Sequence, residues 1–77
     1  MKKNSDQVKH RMWLCTLNNP NESLKDLFDL FKPQYMCGQL EKGESGTLHF
    51  QFYLHFSKQV TFTQLKKIHD KVHYIGV

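Results

Sequence analysis

The stretch GTLHFQFYLHF, residues 46–56, places an apolar side chain at every second position: Leu48, Phe50, Phe52, Leu54 and Phe56. Between them stand His49, Gln51, Tyr53 and His55. A period of two is the signature of a β-strand, whose successive side chains point to opposite faces. Burying a Gln and two His without partners costs roughly 1–3 kcal/mol each, so the apolar set must face the core. The strand therefore has one dry face and one wet face. It needs a cover of helices on the dry side and neighbouring strands with the same two-sided character.

The rest of the sequence supplies these parts. RMWLCTL (11–17) is rich in strand formers, and Trp13, Cys15 and Leu17 alternate in a way that assigns them to the core. NNPN follows, with Asn19 as the expected N-cap, Pro20 at the first helical position and Glu22 completing a capping box. Leu24, Leu27, Phe28 and Phe31 then recur at helical spacing, which predicts an amphipathic helix over 20–31 that ends at Lys32-Pro33. QYMCGQLE (34–41) reads as a second strand, KGESG (42–46) as a hairpin loop, and the opening stretch as the third strand. Thr61 with Gln64 forms another capping box, and Phe62, Leu65 and Ile68 line one side of a second helix. VHYIGV is a fourth strand. The order βαββαβ predicts an α+β, ferredoxin-like fold: an antiparallel sheet with both helices on one face and the other face open.

A chain of 77 residues holds one small domain, and its net charge of +4 is unevenly spread. Residues 1–11 sum to +3, residues 12–57 to −2 and residues 58–77 to +3. Basic ends around an acidic middle suit a polyanionic partner along the edges with carboxylates kept for a cation, and equally a merely solvated face. Residues 1–10, with Lys2, Lys3 and Lys9, read as a basic arm leading to Arg11, and residues 11–77 as the folded domain. No stretch has the length or hydropathy of a membrane span or the apolar core of a signal peptide, so a soluble, intracellular protein is expected. Cys15 and Cys37 lack Cys-x-x-Cys spacing and are expected to be small buried hydrophobes.

The polar face of the third strand gains a carboxylate from the second. A register pairing Glu41 with Thr47 would set Gln39 opposite His49 and Cys37 opposite Gln51, with Glu41 diagonal to the histidine. Glu41, His49 and Gln51 would then offer a carboxylate, an imidazole and a carboxamide oxygen to a hard or borderline divalent ion. A His-x-Gln on a half-exposed strand is also ordinary polar surface. Tyr53 on the same face could stack a base, Arg11 could contact DNA, and Lys66, Lys67 and Lys71 could contact phosphates. His55, His69 and His73 are expected to be plain surface.

CTLNNP (15–20) and EKGESGTLHFQ (41–51) resemble the first and second motifs of the replication-initiator (Rep) proteins of circular single-stranded DNA viruses, HUH endonucleases of circovirus-like type. The usual strings there read FTLNNP and GTPHLQG. The resemblance runs from about Arg11 to the end. It implies that His49, Gln51 and Glu41 hold Mn²⁺ or Mg²⁺, that Thr16, Asn18 and Asn19 contact single-stranded origin DNA, and that a tyrosine cuts the strand to leave a 5′-phosphotyrosine. It also implies work in the host nucleus, and pairing with full-length Rep or with another copy.

Two positions depart from the family pattern: Leu48 replaces Pro and Phe52 replaces Gly, both on the dry face. The family's nucleophile lies in a Tyr-x-x-Lys motif on a helix after the fourth strand. Tyr74 is followed at position 77 by Val, and neither Tyr35 nor Tyr53 has the lysine. The expectation is a nuclease-type domain that stops before its catalytic helix and helicase. The main rival is a non-catalytic nucleic-acid-binding module of RNA-recognition type, which would need Phe50 and Phe52 exposed. A non-catalytic regulator occupying the origin is the third reading.

Overall fold

A computed structural model describes residues 8–77. Its elements are β1 (Lys9–Asn18), α1 (Leu24–Phe31), β2 (Tyr35–Lys42), β3 (Leu48–Thr61), α2 (Phe62–Ile68) and β4 (His73–Gly76). The sheet order is β2-β3-β1-β4 with every neighbouring pair antiparallel. This is the ferredoxin-like arrangement the element order predicts. Lys2 and Lys3 of the expected arm lie outside the described residues, whereas Lys9 and His10 are already ladder residues of β1, paired with Thr61 and Val60.

One face of the sheet is dry. Trp13, Cys15 and Leu17 of β1 lie opposite Leu54, Phe52 and Phe50 of β3. These six are buried with Tyr74 of β4, Leu27 and Phe31 of α1, Leu65 of α2 and Val72 in a single cluster. The helices are there because their apolar sides have nowhere else to go. Phe50 is 8% and Phe52 1% exposed, so the third strand's phenylalanines are core and cannot form the base-stacking platform of an RNA-recognition module. Tyr74 ties the layers together: its hydroxyl donates to the carbonyls of Leu65 (3.0 Å) and His69 (2.7 Å) at the end of α2.

Several boundaries differ from expectation for local reasons. Asn19 has a left-handed φ of 50° and its N–H still donates to Leu48 O (2.7 Å), so it extends the sheet and does not cap a helix. The cap is Ser23, whose side chain accepts from Asp26 N while Asp26 accepts from Ser23 N, and α1 starts four residues later than predicted. Thr61 and Gln64 do form the predicted box on α2. Strand β3 runs on to Thr61, past an irregularity where Met12 pairs with His55 but His10 with Val60. Cys37 is exposed: it alternates with Gly38 and faces away from the core, which an apolar run alone does not reveal. Cys15 is fully buried, with its thiol pushed up to about 12 by desolvation.

The β2–β3 loop has the five residues expected, but they are 43–47 and not 42–46. Gly46 N donates to Gly43 O (3.0 Å), Gly46 sits at φ 88°, and Gly43 N donates to Thr47 O (2.8 Å), the form of a type I turn closed by a glycine in the left-handed region. The register is therefore Glu41↔His49, Gln39↔Gln51 and Cys37↔Tyr53, two residues from the pairing expected. A shift of two preserves the faces. Gly38 lies opposite Phe52 on the dry side, where any Cβ would overlap the Phe52 and Gln51 backbone, so β2 approaches β3 more closely there than a side chain would permit.

Phe52→Ala removes a ring from the centre of this packing. A loss of about 3–5 kcal/mol is expected in urea-denaturation stability, against an effect below about 0.5 kcal/mol for a surface change such as Lys58→Ala.

Candidate metal and nucleic-acid face

Cross-strand partners share a face, so the register assembles the open side of the sheet row by row. The first row runs Glu41, His49, Asn18. The second runs Gln39, Gln51, Thr16, His73. The third runs Cys37, Tyr53, Leu14, Ile75, and the fourth Tyr35, His55, Met12. The face is thus polar toward the hairpin and apolar or aromatic toward the other end.

In the first row His49 Nε2 lies 3.2 Å from Glu41 Oε1, and Gln39 Nε2 donates to the other carboxylate oxygen. These bonds, from Gln39 first and His49 second, hold the Glu41 carboxyl below its ordinary range. The pair stays reachable, with side-chain exposures of 37% for Glu41 and 22% for His49. Gln51 stands two residues along the strand from His49, roughly 7 Å away. Among the described residues no group of three or more His, Cys, Asp or Glu side chains converges as a metal centre. The acidic and imidazole donors number two, and the expected third member, the carboxamide of Gln51, stands one row away. An anionic carboxylate, an imidazole and an amide oxygen, partly exposed on rigid strands, are a donor set into which a hard or borderline divalent ion fits.

The other candidates divide into four places. Thr16 and Asn18 adjoin Gln51 and His49 directly. Tyr53 lies one row further, its hydroxyl donating to Met12 Sδ (2.7 Å), and with Leu14, Cys37 and Gln51 it lines a shallow trough that reaches Gln39 and Glu41. Arg11 is exposed on β1 but seven residues from Asn18, about 23 Å along the strand. Asn19, Lys66 and Lys67 border a separate cleft beside α2, and Lys66 Nζ already donates to the carbonyls of Asp70 (2.9 Å) and Val72 (3.2 Å). Residue spacing missed two contacts. Gln39 is the partner of Glu41, detectable once the register is right. His69 is not plain surface: its Nε2 lies 2.8 Å from Glu22 Oε2, a pairing 47 residues apart that no local signal announces.

The three tyrosines are poorly placed as nucleophiles. Tyr74 is buried, its hydroxyl is engaged twice, and burial drives its ionisation upward. Tyr53 is turned to Met12, and Tyr35 belongs to the far row.

With this geometry in place, the comparisons with known proteins are decisive for family. The Viral_Rep family, described as a viral replication protein, matches residues 10–75. The chain is 39% identical over 62 residues to the master replication protein of Milk vetch dwarf virus (isolate N), covering 80% of this chain and 21% of that protein. It is 36% identical over 67 residues to the replication-associated protein of Beak and feather disease virus, covering 83% and 23%. The replication-associated protein of Porcine circovirus 1 is 36% identical over 72 residues, covering 83% and 22%. The chain belongs to the viral replication protein family, and it spans about a fifth of the length of the curated relatives it matches.

Two predictions concern the carboxylates. Gln39→Leu removes the leading cause of the lowered Glu41 ionisation, so an NMR titration of the Glu41 side-chain carbon should move up toward 4.5. Glu22 is likewise held low, chiefly by His69. A lowered folded-state value means the ionised carboxylate stabilises the fold above about 4.5 and loses that contribution as pH falls through the lowered value. Glu22→Gln should flatten the acid limb of a stability-versus-pH curve, while the neutral-pH fold persists.

Proposed function

We propose that this chain is the metal- and DNA-binding part of a viral replication initiator. It takes single-stranded origin DNA across the open face of its sheet, and Glu41, His49 and Gln51 hold Mn²⁺ or Mg²⁺ there. The observation that carries the reading is the contact of Glu41 with His49 on an exposed sheet face, with Gln51, Thr16 and Asn18 in the adjoining positions, in a member of this family.

When bound, such an ion supplies Lewis-acid polarisation of a phosphoryl oxygen. The side chains do the rest. Gln39 fixes the Glu41 carboxylate and keeps it ionised. Thr16 and Asn18 offer hydroxyl and amide groups to phosphate and sugar, which positions the strand without reading its sequence. The Tyr53 ring with Leu14 provides a surface for a base one row from the phosphate site. Nicking and joining through a 5′-phosphotyrosine then depends on a tyrosine other than Tyr35, Tyr53 or Tyr74. Pairing with a full-length Rep protein or with a second copy belongs to the same proposal.

The test needs neither DNA nor that tyrosine. Mn²⁺ is titrated into the ¹⁵N-labelled 77-residue chain and paramagnetic broadening is followed by NMR. Broadening centred on residues 39–41 and 47–53, abolished in His49→Ala, is the expected result. Uniform or absent broadening would remove the metal site and leave a nucleic-acid-binding surface alone.

A further inference from the structure

The open face ends at Asn18, and the chain then turns onto the helical layer through the left-handed Asn19. Beyond that turn is a second concavity, between the β1–α1 loop and the C-terminal end of α2, away from Glu41 and the hairpin. Asn18, Asn19, Asn21, Lys67, His69 and Lys71 belong to its polar lining, together with Glu22, Lys66 and Asp70.

Pairing within the cleft decides which charges are free. The Glu22 carboxylate is turned to His69 (2.8 Å), and Lys66 is spent on the carbonyls of Asp70 and Val72. What remains is the ammonium groups of Lys67 and Lys71, both exposed, with two carboxylates in the lining, Asp70 and the His69-paired Glu22. Three asparagine amides stand beside them as uncharged donors. Mobile ammonium groups with amide donors, in a polar concavity, are suited to phosphate oxygens and carry no base code. Asn18 belongs to both places: it shares the first row with His49 and it lines the cleft. A strand leaving the metal row at Asn18 meets the cleft next.

We infer that this cleft is a second phosphate-binding site, which takes the DNA strand as it continues from the open face round the end of β1, with Lys67 and Lys71 as its cations. The inference rests on the open face being the primary DNA surface. It separates the three lysines by role: Lys67 at the end of α2 and Lys71 in the α2–β4 connection bind backbone, while Lys66 holds that connection in place.

The test compares two single-stranded oligonucleotides, one of about six and one of about twelve nucleotides, within the span single-strand modules cover. Binding is measured by fluorescence anisotropy over a range of salt for the parent chain, Lys67→Gln/Lys71→Gln, and the charge-matched Lys25→Gln/Lys58→Gln. For the longer strand the salt slope should fall by about 1.4 in the Lys67/Lys71 variant, two contacts at about 0.7 each. The shorter strand should bind parent and variant alike, the control pair should change neither, and thermal unfolding should be the same for all three. Equal slopes for the longer strand in parent and variant would overturn the second site, as would an equal loss for both lengths. Failure of the parent to bind the short strand would overturn the open-face reading, while the longer strand still reports on the cleft.

Discussion

Strict alternation along β3 is the constraint on which the rest of this structure depends. The strand is flanked on both sides, by β2 and by β1, so its parity is imposed on each of them through the ladders. Three buried residues, Phe50, Phe52 and Leu54, fix which side receives the helices. Once that side is chosen, His49, Gln51, Tyr53 and His55 have no alternative to the open face, and their cross-strand neighbours must join them. The candidate site is thus a by-product of core formation: the same hydrophobic burial that stabilises the domain also gathers its polar groups.

The chemistry of that face depends on a finer matter, the register of a hairpin. Placing Glu41 directly across from His49 brings a carboxylate and an imidazole into contact, where a diagonal placement would leave them apart. The turn that achieves this uses Gly46 in the left-handed region and a Gly43–Thr47 bond. Gln39 then occupies the other oxygen of Glu41, so the carboxylate is oriented from two directions before any ligand arrives. Such a prearranged acceptor loses less side-chain freedom on binding than a free one would.

Much of the architecture was legible in the sequence because periodicity is a direct image of burial. The four strands, both helices, the α2 capping box, the buried Trp13 and the shared face of Glu41, His49 and Gln51 all follow from alternation and spacing. The misreadings share a different origin. Asn19 and Ser23 are both good caps, and which one serves depends on whether β1 still has a partner at Leu48, a tertiary fact. Cys37 lies in an apolar run but on the wet side, and only the register reveals it. The Glu22–His69 contact joins a loop to a helix end, and no window of local sequence contains both. The family was legible only through the motifs, since a carboxylate, a histidine and a glutamine on one face describe ordinary surface as readily as a metal site.

The glycine at position 38 shows how the two sides of the sheet communicate. It contributes nothing to the polar face, and its role is to leave room for Phe52 behind it. Because β2 hangs from β3 alone at the edge of the sheet, any side chain at position 38 would push against the strand that carries it. The pairing of Glu41 with His49 thus rests on an edge strand whose seat is set from behind, where the absence of a side chain lets β2 lie against Phe52.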